Sequence, residues 1–135
     1  MIEMFANIDV DNLERGVEFY TRALGLTVGR RLEAFAAVEL VGAGSRIYLL
    51  AKPAGTAPSA GSQTRLDYQR HWTPVHLDFV VEDLDAAVQR AQAAGATLET
   101  TTETQVWGRI ALMADPFGHG FCLLQFAGRG YDEVA

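Results

Sequence analysis

Stapling chemistry is almost absent from this chain. It has one cysteine, Cys122, among 135 residues, so no disulfide framework can exist. Four prolines and 13 well-spread glycines are too few for a low-complexity or fibrous chain. No apolar run approaches the roughly 20 residues that a membrane helix needs. The first residues, MIEMFANIDV, lack a basic stretch leading into an apolar core, so no secretory leader is expected and the expected location is cytoplasmic. Positive charge is scarce as well: Lys+Arg 11 against Asp+Glu 17 gives 11 − 17 = −6, with no Lys/Arg cluster. A protein like this has nothing with which to release the counterions of a nucleic acid. Neither nucleic acid nor membrane is expected as a partner, and a small molecule is.

What the chain does have is apolar content, at 49%. A chain of this length buries roughly two-thirds of its unfolded surface, enough for a core without disulfide or metal support. It also repeats itself. A shift of 71 residues lays VDNLERGV (10–17) on VEDLDAAV (81–88), matching Val10, Leu13 and Val17 with Val81, Leu84 and Val88. The same shift places the alternating stretch 5–10 on 76–81 and, with a one-residue gap, Gly25 on Gly95. Two copies of one supersecondary unit follow.

Each copy opens with a strand, about 4–10 and 74–81, and then changes to helical period. Leu13, Val17, Tyr20 and Leu24 form one stripe and Leu84, Ala87, Val88 and Ala91 the other. Asp11 or Asn12 and Asp83 are candidate N-caps, while Gly25 and Gly95 stand where a helix ends on a left-handed residue. Strand-like runs follow at 27–33, 35–41 and 45–52, and again at 97–102, 107–114 and 120–126. Asp115-Pro116-Phe117-Gly118 suits the tight turn before the last strand. The fold class is therefore α+β, with a first β-α-β-β-β unit at 1–52, a linker at 53–73, a second unit at 74–127 and a short tail at 128–135. The linker is rich in Pro, Gly, Ala, Ser and Thr. It reads as a crossover or, given RLDYQRHW (65–72), as a lid.

The segments ERGVEFYTRALGL, HLDFVVEDLDAAVQRAQAAGATL and DPFGHGFCLLQF, in this order, resemble the vicinal oxygen chelate superfamily of glyoxalases, bleomycin-resistance proteins and extradiol dioxygenases. The resemblance covers almost the whole chain. It implies a single glyoxalase-like domain in which each unit is an incomplete barrel, two units make a concave sheet, and homodimers are common. It also implies metal-ligand positions on the first and last strand of each unit, here Phe5, Tyr48, His76 and Cys122. Only His76 is a customary ligand at its position, and at most His76 and Cys122 are plausible donors, one fewer than the three protein ligands usual for catalytic zinc. The extradiol set of two histidines and a carboxylate fails as well. No metal cofactor is therefore expected.

Side chains alternate across a strand. Leu77, Phe79 and Val81 should pack under the helices, which sends His76 and Asp78, with Phe5 and Asn7 of the first copy, to the other face. We expect Cys122 and Leu124 there, and Trp107, Arg109 and Met113 on the neighbouring strand. The candidate ligand-binding set is Asn7, Tyr48, His76, Asp78, Trp107, Arg109 and Cys122, lining the concave face. His76 is the best catalytic candidate, either as a general base or ligand anchor or as a vestigial ligand held in the sheet. Cys122 reads either as partner in a thiolate–imidazole pair or as a small buried hydrophobe. Trp72 and Trp107 read as packing residues or as stacking platforms, and Arg109 as a partner for a ligand's acidic group or for Asp78. His71 and His119 are expected to be exposed. Two functions fit: a binding protein for an aromatic or carbonyl-bearing molecule, or a metal-dependent or His-based lyase, isomerase or dioxygenase.

Overall fold

Both helices start and stop where side-chain chemistry dictates. The computed structural model describes residues 1–135, and in it α1 (Leu13–Leu24) is capped by Asn12, whose side chain accepts from the Arg15 backbone N–H, and closes on Gly25 at φ 69°. The second helix, α2 (Leu84–Ala94), is capped by Asp83, which accepts from the Ala86 N–H, and closes on Gly95 at φ 119°. Positive φ costs a glycine little, which is why these two positions end helices.

The chain divides into two units, Met1–Gln69 and Arg70–Ala135. In the first, β1 (Ala6–Val10), β2 (Thr27–Leu32), β3 (Ala37–Val41) and β4 (Ile47–Ala51) form an open sheet in the order β1-β4-β3-β2. Strands β1 and β4 pair in parallel and the rest antiparallel. The second unit repeats the plan with β5 (Leu77–Val80), β6 (Thr97–Leu98), β8 (Gly108–Ala114) and β9 (Gly120–Phe126) in the order β5-β9-β8-β6, with β5 parallel to β9. The expected strand 97–102 is broken: β6 stops after two residues and β7 (Glu103–Gln105) pairs separately with β8. Neither sheet closes into a barrel. The class is α+β, as the repeat and the resemblance implied, and no helix is long and apolar enough to cross a membrane.

Each helix covers one face of its own sheet. In the first unit Ile8, Val10, Val38, Leu40, Ile47 and Leu49 are buried together with Val17, Phe19, Tyr20 and Ala23 of α1. Gly16 lets the helix approach, since a Cβ there would stand 3.1 Å from Val10 and 3.3 Å from Leu49. In the second unit Leu84, Val88 and Ala91 of α2 are buried, as are Ala111, Met113, Phe121 and Leu123 of β8 and β9.

The expected linker 53–73 is not a bare spacer. Its first part folds back on the first unit: Gly55 and Leu66 are joined through N–H to carbonyl bonds with Leu66 and Thr56 at 2.8 Å each, and the Tyr68 hydroxyl donates to the Lys52 carbonyl. From Arg70 onward it is fastened to the second unit by Glu99, which accepts from the Arg70 guanidinium at 2.6 and 2.7 Å. The reason is composition: the aromatic and charged second half supplies anchors that the Pro/Gly/Ser half lacks.

Candidate functional site

In the first unit, the face turned away from α1 carries a polar row. Asn7 pairs with Tyr48 and Tyr48 with Glu39 in adjacent strands, so the three side chains share that face. Glu39 is buried, 5% exposed, and would be costly there without partners. It has four donors: the Arg30 backbone N–H at 3.1 Å, Arg30 Nε at 3.2 Å, Arg30 Nη2 at 2.6 Å and the Tyr48 hydroxyl at 2.9 Å. Arg46 adds an ion pair at 3.5 Å. Bonds from the Arg30 side chain, then its backbone, hold the Glu39 carboxyl down at about 2. Gly29 leaves room for this network, because a Cβ there would lie 2.5 Å from Glu39 Oε1. The Phe5 ring meets Tyr48 edge-on at 5.5 Å.

In the second unit the corresponding face brings His76, Asp78 and Cys122 together. Asp78 of β5 pairs directly with Cys122 of β9, and Cys122 with Leu112 of β8, so Cys122 and Asp78 point the same way. His76 enters two residues earlier on that face, with Nε2 3.3 Å from Asp78 Oδ1. One donor atom from each of the three residues lies within 4.8 Å of the others. Burial, then the negative charge of Asp78 and a hydrogen bond to it, push the Cys122 thiol up to about 11. That excludes the thiolate–imidazole pair as a resting state: the nearest charged partner favours the thiol. Trp72 is exposed beside them, its ring 5.5 Å from the His76 ring and tilted by 39°.

Two residues of the expected set lie elsewhere. Leu112 is the residue paired with Cys122, so Arg109, three positions earlier, falls on the opposite, helix-covered face. There it donates to Asp85 of α2 at 2.8 and 3.2 Å, not to Asp78. Met113 follows Arg109 to the helix side. Trp107, before the start of β8, packs with Phe126 and Tyr131 at ring separations of 6.2 and 5.2 Å. His71 and His119, expected to be exposed, are half-buried with ring nitrogens 3.0 Å apart. Asp115 organises that turn by accepting from the Phe117 and His119 N–H groups at 2.8 and 2.9 Å. Glu39 was missed by the sequence reading. Its signal was a single charge inside the apolar run AVELV, which requires a partner.

The four positions implied for a metal do not fit one. Phe5 offers only carbon, and the Tyr48 hydroxyl is committed to Glu39 as donor and to Arg30 Nη2 as acceptor at 3.1 Å. The donor inventory in the second unit is larger than expected, because Asp78 joins His76 and Cys122.

Comparison with known proteins agrees with this geometry at the level of fold. A family model described as "Glyoxalase-like domain" matches residues 6–124. An uncharacterised protein of Mycobacterium bovis is 52% identical over 54 residues, 39% of this chain and 36% of that one; the chain thus spans about a third of the length of the curated relatives it matches. Among solved structures, a genomically encoded fosfomycin resistance protein from Listeria monocytogenes superimposes with TM-score 0.70 at 18% identity, covering 94% of this chain and 96% of the other. A lactoylglutathione lyase from Agrobacterium tumefaciens gives TM-score 0.62 at 18% identity, covering 92% of each.

Proposed function

Since this chain belongs to the glyoxalase-like domain family, we propose that it binds a small aromatic or carbonyl-bearing molecule on the helix-free face of its second sheet. The observation that carries the reading is the His76–Asp78 pair beside an exposed Trp72. The indole offers a flat apolar surface for stacking, and the imidazole, oriented by the carboxylate, can donate to a carbonyl oxygen. Binding is favoured over the family's metal-assisted chemistry because Phe5 and Tyr48 cannot complete the customary ligand set. The names of the structural relatives include both a resistance protein and a lyase, so the fold itself does not choose between the two.

The test is a thermal-shift screen of aromatic metabolites and antibiotics on chelator-treated protein. A ligand at 100 times its dissociation constant adds about 2.7 kcal/mol. A hit must lose its effect in the Trp72→Ala, His76→Ala double variant; equal binding to that variant puts the ligand elsewhere and refutes the assignment. A second reading, an enzyme with His76 as acid/base, is favoured by the 3.3 Å contact with Asp78. It requires turnover that Asp78→Asn suppresses while binding survives. The homodimer belongs to the same proposal: both sheets have open edges that a second copy would cover. Light scattering should give twice the 14.7 kDa chain mass, and the single-chain mass at micromolar concentration rejects it.

A further inference from the structure

We propose that His76, Asp78 and Cys122 together bind one thiophilic divalent cation, Zn²⁺ being the best match, within the second unit alone. This goes beyond the ligand-binding reading and does not depend on it. The donors are a nitrogen, a carboxylate oxygen and a sulfur, a set that suits zinc and cobalt and does not suit the hard, oxygen-seeking Mg²⁺ and Ca²⁺.

The sheet supplies the placement. Parallel pairing of β5 with β9 sets Asp78 directly beside Cys122, and strand alternation brings His76 back to the same face. Zinc bonds of 2.0–2.3 Å in tetrahedral geometry require donor separations of roughly 3.3–3.8 Å. The His76–Asp78 separation, 3.3 Å, already meets this, and all three donor atoms lie within 4.8 Å. Closing the remaining gap falls to Asp78 and His76, both at the surface, while Cys122 is fixed on an interior strand. Charge agrees as well: a carboxylate, a thiolate and a neutral imidazole together cancel a dication. Binding forms the metal–sulfur bond and sends the thiol proton to solvent, with no change of oxidation state. Three protein donors leave a fourth position for water or an exogenous donor.

The experiment is titration of the full-length, chelator-treated chain with Co²⁺ in the presence of a phosphine reductant. One equivalent should produce a thiolate-to-cobalt charge-transfer band in the near ultraviolet together with the visible bands of tetrahedral cobalt, and Zn²⁺ should abolish both. Because Cys122 is the single cysteine, the band in the unmodified chain already identifies the sulfur ligand, whether or not variants fold. Asp78→Asn and His76→Ala should each weaken binding by more than the roughly 10–100-fold that loss of an outer-shell partner costs. Absence of the band at one equivalent overturns the site. So does undiminished affinity in both variants, or native mass spectrometry showing one metal bridging two chains. None of these results bears on the ligand screen, which is run without metal.

Discussion

Replacing Gly29 with alanine should damage the first unit for one identifiable reason. An alanine Cβ would stand 2.5 Å from Glu39 Oε1 and 3.2 Å from its Cδ and Cγ. The backbone at Gly29 is not left-handed, so the cost is steric alone. Glu39 cannot swing away cheaply, because Arg30 and Tyr48 hold it with four hydrogen bonds. Forced overpacking of this kind costs about 1–3 kcal/mol. With an unfolding entropy of roughly 0.28 kcal/mol/K for 135 residues, the melting temperature should fall by about 4–11 °C. The decisive assay is a double-mutant cycle by urea unfolding. In a Glu39→Ala background the obstructing atoms are gone, so Gly29→Ala should cost almost nothing further, and the coupling should equal the whole single-variant penalty. Additive effects, or a Gly29→Ala protein as stable as the parent, would refute the account.

The Glu39 carboxyl, held at about 2 against an ordinary 4.5, contributes stability that is complete above about pH 4.5 and is lost as pH falls toward about 2; Glu39→Gln should flatten that acid limb in urea melts taken across the window. The Cys122 thiol, pushed up to about 11 from an ordinary 9, should react with iodoacetamide at pH 8 about a hundredfold more slowly than a thiol of ordinary acidity, and a rate near that of free cysteine would contradict its burial. Leu49→Ala, at a fully buried position between β4 and α1, should cost about 2–5 kcal/mol in chemical denaturation. Arg109→Ala should leave the affinity of any confirmed ligand unchanged, since its guanidinium serves Asp85 on the helix side; a loss of affinity would return it to the site.

Helix limits were legible because capping is local. Asn12, Gly25, Asp83 and Gly95 each act through atoms a few residues away, and all four sit where the sequence placed a cap. The paired β-α-β-β-β plan was legible from the 71-residue repeat. Strand faces were legible only where the count started on the right residue. On β5 the apolar Leu77 and Phe79 fixed it, whereas on β8 nothing local states that Leu112, rather than Arg109, stands opposite Cys122. The break at residues 99–102 likewise reflects pairing with β8 that short-range pattern does not encode. The polar clusters were least visible. Glu39 meets Arg30 and Tyr48 across 9 residues each, and His71 meets His119 across 48; such contacts exist only once the chain has folded.

Parallel pairing of the first and last long strands has a consequence for synthesis. β1 finds its neighbour only when β4 exists, because Ala6 pairs with Ile47, and β5 waits for β9, because Leu77 pairs with Phe121. A ribosome working at about 5–20 residues per second leaves each opening strand unpaired for roughly 2–9 s. Within each unit the hairpin strands, β3 with β4 and β8 with β9, are close in sequence and able to form at once, so the opening strand docks last on a prepared edge. The first unit can therefore be complete while β9 is still unmade, and the nascent chain matures in two successive closures, each completed by the strand that was synthesised first.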